Sequence, residues 1–494
     1  MTLCGTGQGK WACNHAVLEV TKETLVEILY LQPGVNAKEK EMIASTNCDV
    51  LVVGGGVAGI AAAIAAGRQG AKTILLENKP TIGGVAATGY CLHNYISRFG
   101  KQVVFGIPQE IVDRLIELGG AVGHVPYTGF VKAVTPVDGE LFRYVVTEML
   151  DEADVQTIVG VLVVGVEMEG NRIACLKVAA KQGILTFCAR NYVDASGDGD
   201  VSVLAGAKFC KGDLKTGKTQ PVSMVLRCYA TDNFKIAEEL GAVEPAMAKR
   251  RDYPDLIPVY FNGTFSKWND YVLEHKIFPN QDHKVFCNTV WPNHLNVNTS
   301  AVTGIDATSS FDISKATVAL TKQVHKISEF LKNFVPGFER AYFAPAAGAQ
   351  VRETRRITGL YEITEQDILE GKKYGDAIGK ICFPVDIHDP DTGQAHFHDI
   401  GGDGTFDIPF RALVPQGLAN VVVAGRCISA TQYAHGATRN MAPCMVTGQA
   451  AGTAASMATQ QNRSIPEINV KELQEVLLNN GVYLEGSYQK SQAS

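Results

Sequence analysis

The sequence lacks the features that mark disulfide scaffolds, zinc sites and membrane spans. Its 12 cysteines include no Cys-x-x-Cys pair, so neither a thioredoxin-like redox centre nor a structural zinc site has its usual spacing. A continuous apolar run of about 18 residues is also missing, and the first residues lack the basic start and apolar segment of a signal peptide. We therefore expect reduced, mostly buried thiols, no metal site, no membrane span and a cytoplasmic location.

The chain also has no excess of positive charge. The net charge is −6 and the isoelectric point is near 6.0, which argues against nucleic acid or an anionic membrane as the main partner. The hydrophobic fraction of 46% and the charged fraction of 19% are typical of a globular chain. A length of 494 residues without repeats favours two or three domains.

Glycine is abundant, at 49 of 494 residues against an average usage of about 7%. Three glycines form the pattern Gly54-x-Gly56-x-x-Gly59 directly after the apolar run at 48–53. An alanine-rich stretch and a second apolar run at 73–76 follow, and that run ends at Glu77. This order predicts a βαβ unit that binds a dinucleotide, with the pyrophosphate at the helix N-terminus and Glu77 on a ribose diol.

Further elements can be predicted along the chain. Helical spacing of apolar residues predicts helices over 109–118, ending at Gly119, and over 314–332. Alternating β-branched runs and turns from Val155 to Val193 predict an antiparallel meander. Nucleotide-like signals return in a strand at 421–423 and a small-residue helix at 448–458. We also expect a short amphipathic helix near Thr24–Leu31.

These signals predict an interrupted nucleotide-binding domain. The expected segments are an N-terminal extension at 1–45, a discontinuous FAD-binding domain at 46–227 and 405–465, a substrate or cap domain at 228–404, and a C-terminal helix and tail at 466–494.

The residues after the first glycine turn indicate the cofactor. Gly83-Gly84 and Thr88-Gly89 predict a second close backbone approach along the same ligand, which resembles FAD-binding proteins. The stretches 193–200 and 421–426 resemble the strands and turns that return to FAD in that superfamily. Arg426 or Cys427 holds the place where an acidic or polar residue usually meets the ribityl chain.

From Asp49 to about Ala458 the chain resembles the FAD-dependent oxidoreductases that are distantly related to fumarate reductase and succinate dehydrogenase flavoproteins. The stretches that carry the resemblance are 107–111, 192–207, 350–357, 386–390 and 424–436. The resemblance implies an α/β fold: a glutathione-reductase-like FAD-binding Rossmann domain with an inserted α+β substrate domain. The cofactor-binding residues expected from the glycine turns and the resemblance are Gly54, Gly56, Val57, Ala58, Gly59, Glu77, Asn78, Gly83, Gly84, Val85, Thr88, Gly89, Ala195, Ser196, Gly197, Asp198, Gly425, Arg426, Asn440, Met441 and Ala442.

Covalent attachment of FAD is not expected by the fumarate reductase route. That route uses a histidine just ahead of the glycine pair, and residues 78–82 contain none. Cys91 and His93, just past Gly89, are the alternative attachment points. A second Gly-x-Gly-x-x-Gly turn is absent, so we expect no separate NAD(P)H domain.

Four residues are candidates for substrate binding and catalysis. His435 and Arg439 lie in a segment that resembles the His-Gly-Ala-x-Arg motif by which fumarate reductases hold a substrate carboxylate. Arg352 lies in a cluster with Arg355 and Arg356 that favours either anion binding or salt bridges to Glu353 or Glu362. His388, between Asp386 and Asp389, is either a general base oriented by a carboxylate or a turn residue. The spacing of His396 and His398 would suit a metal, but no third ligand is near in the sequence.

The sequence therefore predicts an FAD-dependent oxidoreductase that exchanges a hydride between a small polar substrate and flavin N5. The alternative is a flavoprotein subunit of an electron-transfer complex without its own small-molecule substrate. A third interpretation makes FAD a structural element of an enzyme without redox chemistry. The electron acceptor and the number of chains in the assembly, a homo-oligomer included, are left open.

Overall fold

Two β-sheets organise the part of the chain that the structure, a computed structural model, describes: residues 45–278 and 284–487. The predicted helix near Thr24–Leu31, nearly all of the predicted extension at 1–45 and the last residues of the predicted tail lie outside these ranges. The strands are β1 (Ser45–Val53), β2 (Thr73–Glu77), β3 (Val125–Pro126), β4 (Ala133–Val134), β5 (Val155–Val159), β6 (Leu162–Glu169), β7 (Arg172–Ala180), β8 (Gly183–Asp194), β9 (Phe209–Lys211), β10 (Ser223–Tyr229), β11 (Ala246–Lys249), β12 (Leu256–Thr264), β13 (Lys284–Asn288), β14 (His294–Asn298), β15 (Tyr342–Gln350), β16 (Arg355–Ile357), β17 (Ala377–Ile381), β18 (Val385–His388), β19 (Ala395–His398), β20 (Phe406–Pro409) and β21 (Val421–Val423).

The helices are α1 (Val57–Arg68), α2 (Ile107–Glu117), α3 (Gly139–Glu152), α4 (Asp200–Leu204), α5 (Asn233–Glu239), α6 (Asn269–Glu274), α7 (Ser310–Phe334), α8 (Glu365–Glu370), α9 (Gln432–Thr438), α10 (Met441–Gln461) and α11 (Val470–Asn479). The predicted helices over 109–118, 314–332 and 448–458 are confirmed by α2, α7 and α10. Within the described ranges, no helix combines the length and the apolar character needed to cross a membrane.

The first sheet has seven strands in the order β5-β2-β1-β8-β7-β6, with β21 beside β8. β1 pairs in parallel with β2, and Val50 lies opposite Thr73. Both strands are buried along their centres, as a parallel sheet covered on both faces requires. The predicted βαβ unit is confirmed.

The predicted meander is wrong at its first strand. β5 pairs in parallel with β2, with Val155 opposite Thr73, whereas only β6, β7 and β8 form an antiparallel meander. Alternation of β-branched residues predicts a strand but does not identify its neighbour. β5 follows helix α3, and a helical crossover is the usual connection to a parallel strand.

The expectation of reduced cysteines is wrong for one pair. Cys175 and Cys188 are direct cross-strand neighbours on β7 and β8 and form a disulfide. Cross-strand register brings their Cα atoms to 4.1 Å, which the sequence separation alone does not reveal. The other described cysteines are free, and all of them except Cys210 are buried.

The second sheet has six strands in the order β11-β12-β13-β14-β10-β15. Helix α7 is capped by Ser309, whose side chain accepts a hydrogen bond from the N–H of Asp312. Its apolar face, with Leu320, Val324 and Ile327 fully or almost fully buried, shares a core with this sheet. The described chain is a mixed α/β structure in which a helix-backed antiparallel sheet accompanies the seven-stranded sheet.

Candidate active site

The first glycine turn lies between β1 and α1, and its glycines have different roles. A Cβ atom on Gly54 would lie 2.3 Å from the carbonyl oxygen of Ala195, and one on Gly59 would lie 1.7 Å from the carbonyl oxygen of Gly54. Contacts within the protein therefore require glycine at both positions. A Cβ on Gly56 would meet no atom within 4 Å. The space beside Gly56 is open at the N-terminus of α1, where backbone N–H groups favour an anion.

The second glycine pair lies against the first turn. The N–H of Gly83 donates to the carbonyl oxygen of Gly55 at 2.8 Å. Gly84 has a φ of +54°, and a Cβ atom added to it would lie 3.0 Å from the Cα of Gly56. Val85 follows and accepts a hydrogen bond from the hydroxyl of Thr88 at 2.6 Å. The two glycine turns therefore form one cradle.

Glu77 ends β2 beside this cradle. Its Oε2 accepts the N–H of Gly55 at 2.6 Å, and its Oε1 accepts the N–H of Lys79 at 2.8 Å, just past Asn78. An ionised carboxylate has about four lone-pair sites, so both oxygens can accept further bonds from hydroxyl groups. This position and capacity fit the expected ribose contact.

The return turn after β8 is ordered by Asp194. Its carboxylate accepts hydrogen bonds from the backbone and the hydroxyl groups of Ser196 and Ser202. Arg426 then fixes the next residues of the turn: it donates to the carbonyl of Gly197 at 2.9 Å and pairs with Asp198 at 2.5 Å. It also donates to the carbonyl of Val351. Arg426 thus holds the turn by contacts with the protein itself.

Helices α1 and α10 pack face to face through small residues. A Cβ on Gly448 would lie 2.1 Å from the carbonyl oxygen of Ala58, and one on Gly452 would lie 2.0 Å from that of Ala62. Residue numbers increase in the same direction along both helices from the first contact to the second, so the helices are parallel. Helix α10 starts at Met441, after Asn440 and seven residues before Gly448, whereas α1 starts one residue before Ala58. At 1.5 Å per residue, the N-terminus of α10 therefore extends about 9 Å beyond that of α1. The two N-termini, with Met441 and Ala442 in the first turn of α10, lie at the same end.

Beyond the cradle, the carbonyl of Gly89 is held by two amides. Asn288 and Asn296 donate to it at 2.7 and 2.8 Å, and Gln350 donates to the hydroxyl of Thr88 at 3.1 Å. The oxygens of the Asn296 and Gln350 side chains are buried without a partner among the described residues. Buried acceptors without partners indicate a missing ligand group. The open space at Gly56 and these acceptors fit a dinucleotide that runs from the glycine turns past Thr88.

A buried polar cluster lies next to these residues and contains Arg439. Its Nη2 donates to the carboxylate of Asp386 at 3.1 Å and contacts the side-chain oxygen of Gln220 at 3.4 Å. Nε of Arg439, Oδ1 of Asp386 and Nε2 of Gln220 are all buried without a hydrogen-bond partner among the described residues. The cluster therefore has unused donors and acceptors facing one another.

Arg352 adds a second guanidinium to the cluster. It donates to the carbonyl of Pro221 at 2.9 Å and to the hydroxyl of Ser223 at 3.0 Å, through Nη1 in both cases. No described residue accepts a hydrogen bond from its Nε or Nη2. Burial raises the pKa of the Tyr90 phenol, which lies close enough to Arg352 for the two charges to interact. Sequence reasoning missed Tyr90, although it directly follows Gly89.

His388 lies at the end of β18, on the other side of Asp386. Its Nε2 is 3.3 Å from Oδ1 of Asp386, and its Nδ1 is 3.3 Å from the carbonyl oxygen of Gly393. Burial and the charge of Arg352 lower the pKa of His388, so the neutral form is favoured. Burial opposes ionisation of Asp386, but His388, when it is protonated, and Arg439 lower the pKa of this carboxyl below its ordinary value. Each ring nitrogen of His388 lies 3.3 Å from an oxygen, so a neutral ring donates to one of the two oxygens and keeps a lone pair on the other nitrogen.

The remaining candidates lie elsewhere. His435 is fully buried one helical turn before Arg439, and neither ring nitrogen has a partner among the described residues. Burial, together with the charges of nearby arginines, lowers its pKa well below the ordinary value. Arg355 binds Asp200, and Arg356 forms a buried salt bridge of 2.5 Å with Glu353. Of the three arginines in that stretch, only Arg352 joins the cluster.

Neither His396 nor His398 belongs to a metal-binding arrangement within the described ranges, where no three His, Cys, Asp or Glu side chains could hold a metal ion together. The two residues alternate along β19 and pair across the hairpin with Ile387 and Val385.

Comparison with solved structures gives distant likenesses. A geranylgeranyl bacteriochlorophyll reductase-like protein from Thermoplasma acidophilum is 14% identical, with a TM-score of 0.45 over 89% of this chain and 85% of that one. The p-nitrophenol 4-monooxygenase from Pseudomonas putida is 14% identical, with a TM-score of 0.43 over 88% and 84%. A flavoprotein/dehydrogenase from Cytophaga hutchinsonii is 12% identical, with a TM-score of 0.43 over 88% and 83%.

Comparison with protein families gives a match over residues 49–477, nearly the whole described chain, to the model for FAD-dependent oxidoreductases. The residues of the glycine cradle fit the dinucleotide that this family binds. The protein is therefore an enzyme of the FAD-dependent oxidoreductase family, and FAD is its cofactor.

Proposed function

We propose that this enzyme exchanges a hydride between flavin N5 and a small polar substrate whose anionic group binds to Arg352 and Arg439. The observation that supports this most is the buried polar cluster, in which Arg439 and His388 contact Asp386 and Arg352 lies close enough for its charge to act on that carboxylate. Two cations and one carboxylate leave an excess positive charge when His388 is neutral. An anionic substrate would balance that charge.

The residues that would hold FAD are those of the glycine cradle, Glu77, the return turn at 195–198 and the first turn of α10. When bound, FAD supplies a two-electron acceptor or donor at N5. We infer a glutathione-reductase-like arrangement of the seven-stranded sheet around it, with the six-stranded sheet on the substrate side. FAD is held without covalent attachment in this proposal.

The chain's own groups would bind, orient and deprotonate the substrate. Arg352 has donors left over after its bonds to Pro221 and Ser223, and a guanidinium suits a planar carboxylate. His388 would take the hydroxyl proton of the substrate at Nε2, because burial keeps the ring neutral. His435 has no partner for either nitrogen and would bind only if a ligand group reaches into its buried site.

Anaerobic titration of the flavin absorbance with 2-hydroxy carboxylates and with neutral alcohols tests the proposal. We expect some of the carboxylates, and none of the alcohols, to reduce the flavin. Arg439→Ala should lower kcat/KM by about a hundredfold or more, because it removes a buried cation and the hydrogen bond that this cation donates to Asp386. Arg439→Lys should recover part of the loss.

Arg411→Ala is the matched control, since Arg411 forms its salt bridge with Asp376 and is 47% exposed. Its kcat/KM should equal that of the unmodified enzyme. A flavin that no small molecule reduces would contradict the proposal and favour the electron-transfer subunit instead.

A further inference from the structure

A cavity of about 190 Å³ shares no lining residue with the polar cluster. It opens to solvent and is lined by residues of four segments: 94–98, 127–132, 382–384 and 399–404. Neither the glycine cradle nor the arginine pair contributes to its lining. Nothing in the proposed hydride exchange explains it.

Asn94 is the polar side chain in the buried part of this lining. It is 3% exposed, and neither its amide nitrogen nor its amide oxygen has a hydrogen-bond partner among the described residues. Its backbone has a φ of +88°, a conformation that non-glycine residues rarely adopt. The thiol of Cys382 donates to its carbonyl oxygen and so helps to fix this conformation. A buried amide without partners costs free energy unless a ligand binds it.

The buried side chains of the lining other than Asn94 are mostly aromatic and aliphatic, whereas its exposed part is polar. Phe383 is 2% exposed, and Phe130 stacks on Phe397 with a centroid distance of 4.6 Å. Tyr127 is also buried, and its hydroxyl already accepts a hydrogen bond of 2.8 Å from Asn262. Lys132, Arg98 and Asp399 belong to the exposed rim. The buried lining thus has flat apolar faces and one unused amide.

We propose that this cavity binds an aromatic ring with one polar substituent, which forms hydrogen bonds with the side-chain amide of Asn94. The volume suits such a ring, because an apolar cavity of about 150 Å³ holds benzene. A sugar ring fits the lining poorly, since each of its several hydroxyl groups would need a partner and the buried lining has a single free amide.

The cavity shares a wall with the polar cluster. His93 stacks on Phe383 at 5.8 Å and lies close enough to Asp386 for the carboxylate charge to act on it. Phe397 pairs with Asp386 across the β18–β19 hairpin. We therefore assign the ring to the same substrate whose anionic group binds Arg352 and Arg439, an aromatic acid. This assignment rests on the proposed function, whereas the ring site itself does not.

Calorimetric titration of the FAD-loaded enzyme with phenol, toluene and glucose tests the ring site. We expect phenol to bind at least about tenfold more tightly than glucose. Asn94→Gly should weaken the binding of phenol about three- to tenfold, because one neutral hydrogen bond is lost, and should leave the binding of toluene unchanged. Glycine adopts a φ of +88° readily, so this variant keeps the fold. Phe130→Ala should weaken both aromatic ligands, whereas Phe99→Ala, outside the lining, should weaken neither.

Equal binding of phenol and glucose, or phenol binding that Asn94→Gly does not change, overturns the inference. Arg439→Ala separates it from the proposed function, because that variant should keep phenol binding. If 2-hydroxy acids reduce the flavin but phenol does not bind, the ring site is wrong and the hydride exchange stands. If phenol binds as expected but acids with and without a ring reduce the flavin equally well, the assignment to the substrate is wrong.

Discussion

Arg439 donates from Nη2 to both the backbone carbonyl and the carboxylate of Asp386, at 2.9 and 3.1 Å. The other carboxylate oxygen is 3.3 Å from Nε2 of His388. Asp386 therefore contacts both the proposed anion-binding group and the proposed base. Its negative charge competes with an anionic substrate and favours protonation of the imidazole.

Asp386→Asn should move the acid limb of the kcat/KM profile to lower pH. The carboxylate raises the pKa of His388, so its loss lowers that pKa further and keeps the base neutral in more acidic solution. The KM for an anionic substrate should fall as well. The measurement is the rate of flavin reduction across a pH series.

Asp389→Asn is the control for this prediction. Asp389 accepts hydrogen bonds from Asp391 and Thr392 within the hairpin turn, a task that an asparagine oxygen can also perform. The acid limb of the kcat/KM profile of Asp389→Asn should not move. An unmoved limb in Asp386→Asn would mean that His388 is not the titrating base.

Gly56→Ala should weaken FAD binding without destabilising the protein. The added methyl group would meet no protein atom within 4 Å, but it would occupy space at the helix N-terminus that the cofactor needs. Overpacking of about 1–3 kcal/mol corresponds to a five- to 150-fold higher Kd. Fluorescence titration of the FAD-free protein gives the Kd, and its thermal unfolding gives the stability.

Gly59→Ala is the contrasting variant. Its methyl group would lie 1.7 Å from the carbonyl oxygen of Gly54, so the FAD-free protein itself should be destabilised or fail to fold. If both variants lowered the Tm equally, the space beside Gly56 would not be reserved for the cofactor.

Gly448→Ala should separate α10 from α1 and destabilise the protein. The methyl carbon would lie 2.1 Å from the carbonyl oxygen of Ala58, and backbone cannot give way as a flexible side chain can. We expect a loss of about 1–3 kcal/mol in the free energy of unfolding, together with weaker FAD binding. Gly375→Ala is the matched control, because a Cβ there meets nothing within 4 Å. Chemical denaturation compares the two, and equal losses would contradict the prediction.

Stability should fall as the pH drops from about 6.5 to 4. Burial lowers the pKa of His93, His124 and His294 to about 4, so the unfolded chain takes up protons that the folded chain excludes. Their contribution is complete above pH 6.5 and is lost progressively below it, by about 1.4 kcal/mol per pH unit for each histidine.

His124→Asn tests the slope of this pH dependence. The variant removes one titrating group, so the free energy of unfolding should depend less steeply on pH by about one proton. Denaturation at several pH values gives the slopes of the variant and of the unmodified enzyme, and identical slopes would contradict the assignment.

The sequence predicts the βαβ unit well, because the close backbone contacts of this unit involve glycines near one another in the sequence. Gly54 and Gly59 are glycines for steric reasons that operate within a few residues or across one strand, and the apolar runs around them are the buried strands. The predicted partner of β5 is wrong, since strand pairing depends on the crossover rather than on the strand's own residues.

The buried polar cluster is less predictable, because its residues are far apart in the sequence. Tyr90, Gln220 and Asp386 come from three distant stretches and meet only after the chain folds. Spacing in the sequence groups Arg352 with Arg355 and Arg356, whereas in the structure each of these guanidinium groups has a different partner. Asp386, two residues before His388, is the one local signal of a carboxylate and imidazole pair.

The contact of Gly448 and Gly452 with Ala58 and Ala62 also constrains the order in which the enzyme matures. Helix α1 is synthesised before its packing partner α10, and most of the described chain lies between the two helices. The first glycine turn therefore lacks its supporting helix until α10 has been synthesised. Stable loading with FAD should follow synthesis of α10, so truncated chains that end before α10 should accumulate without flavin.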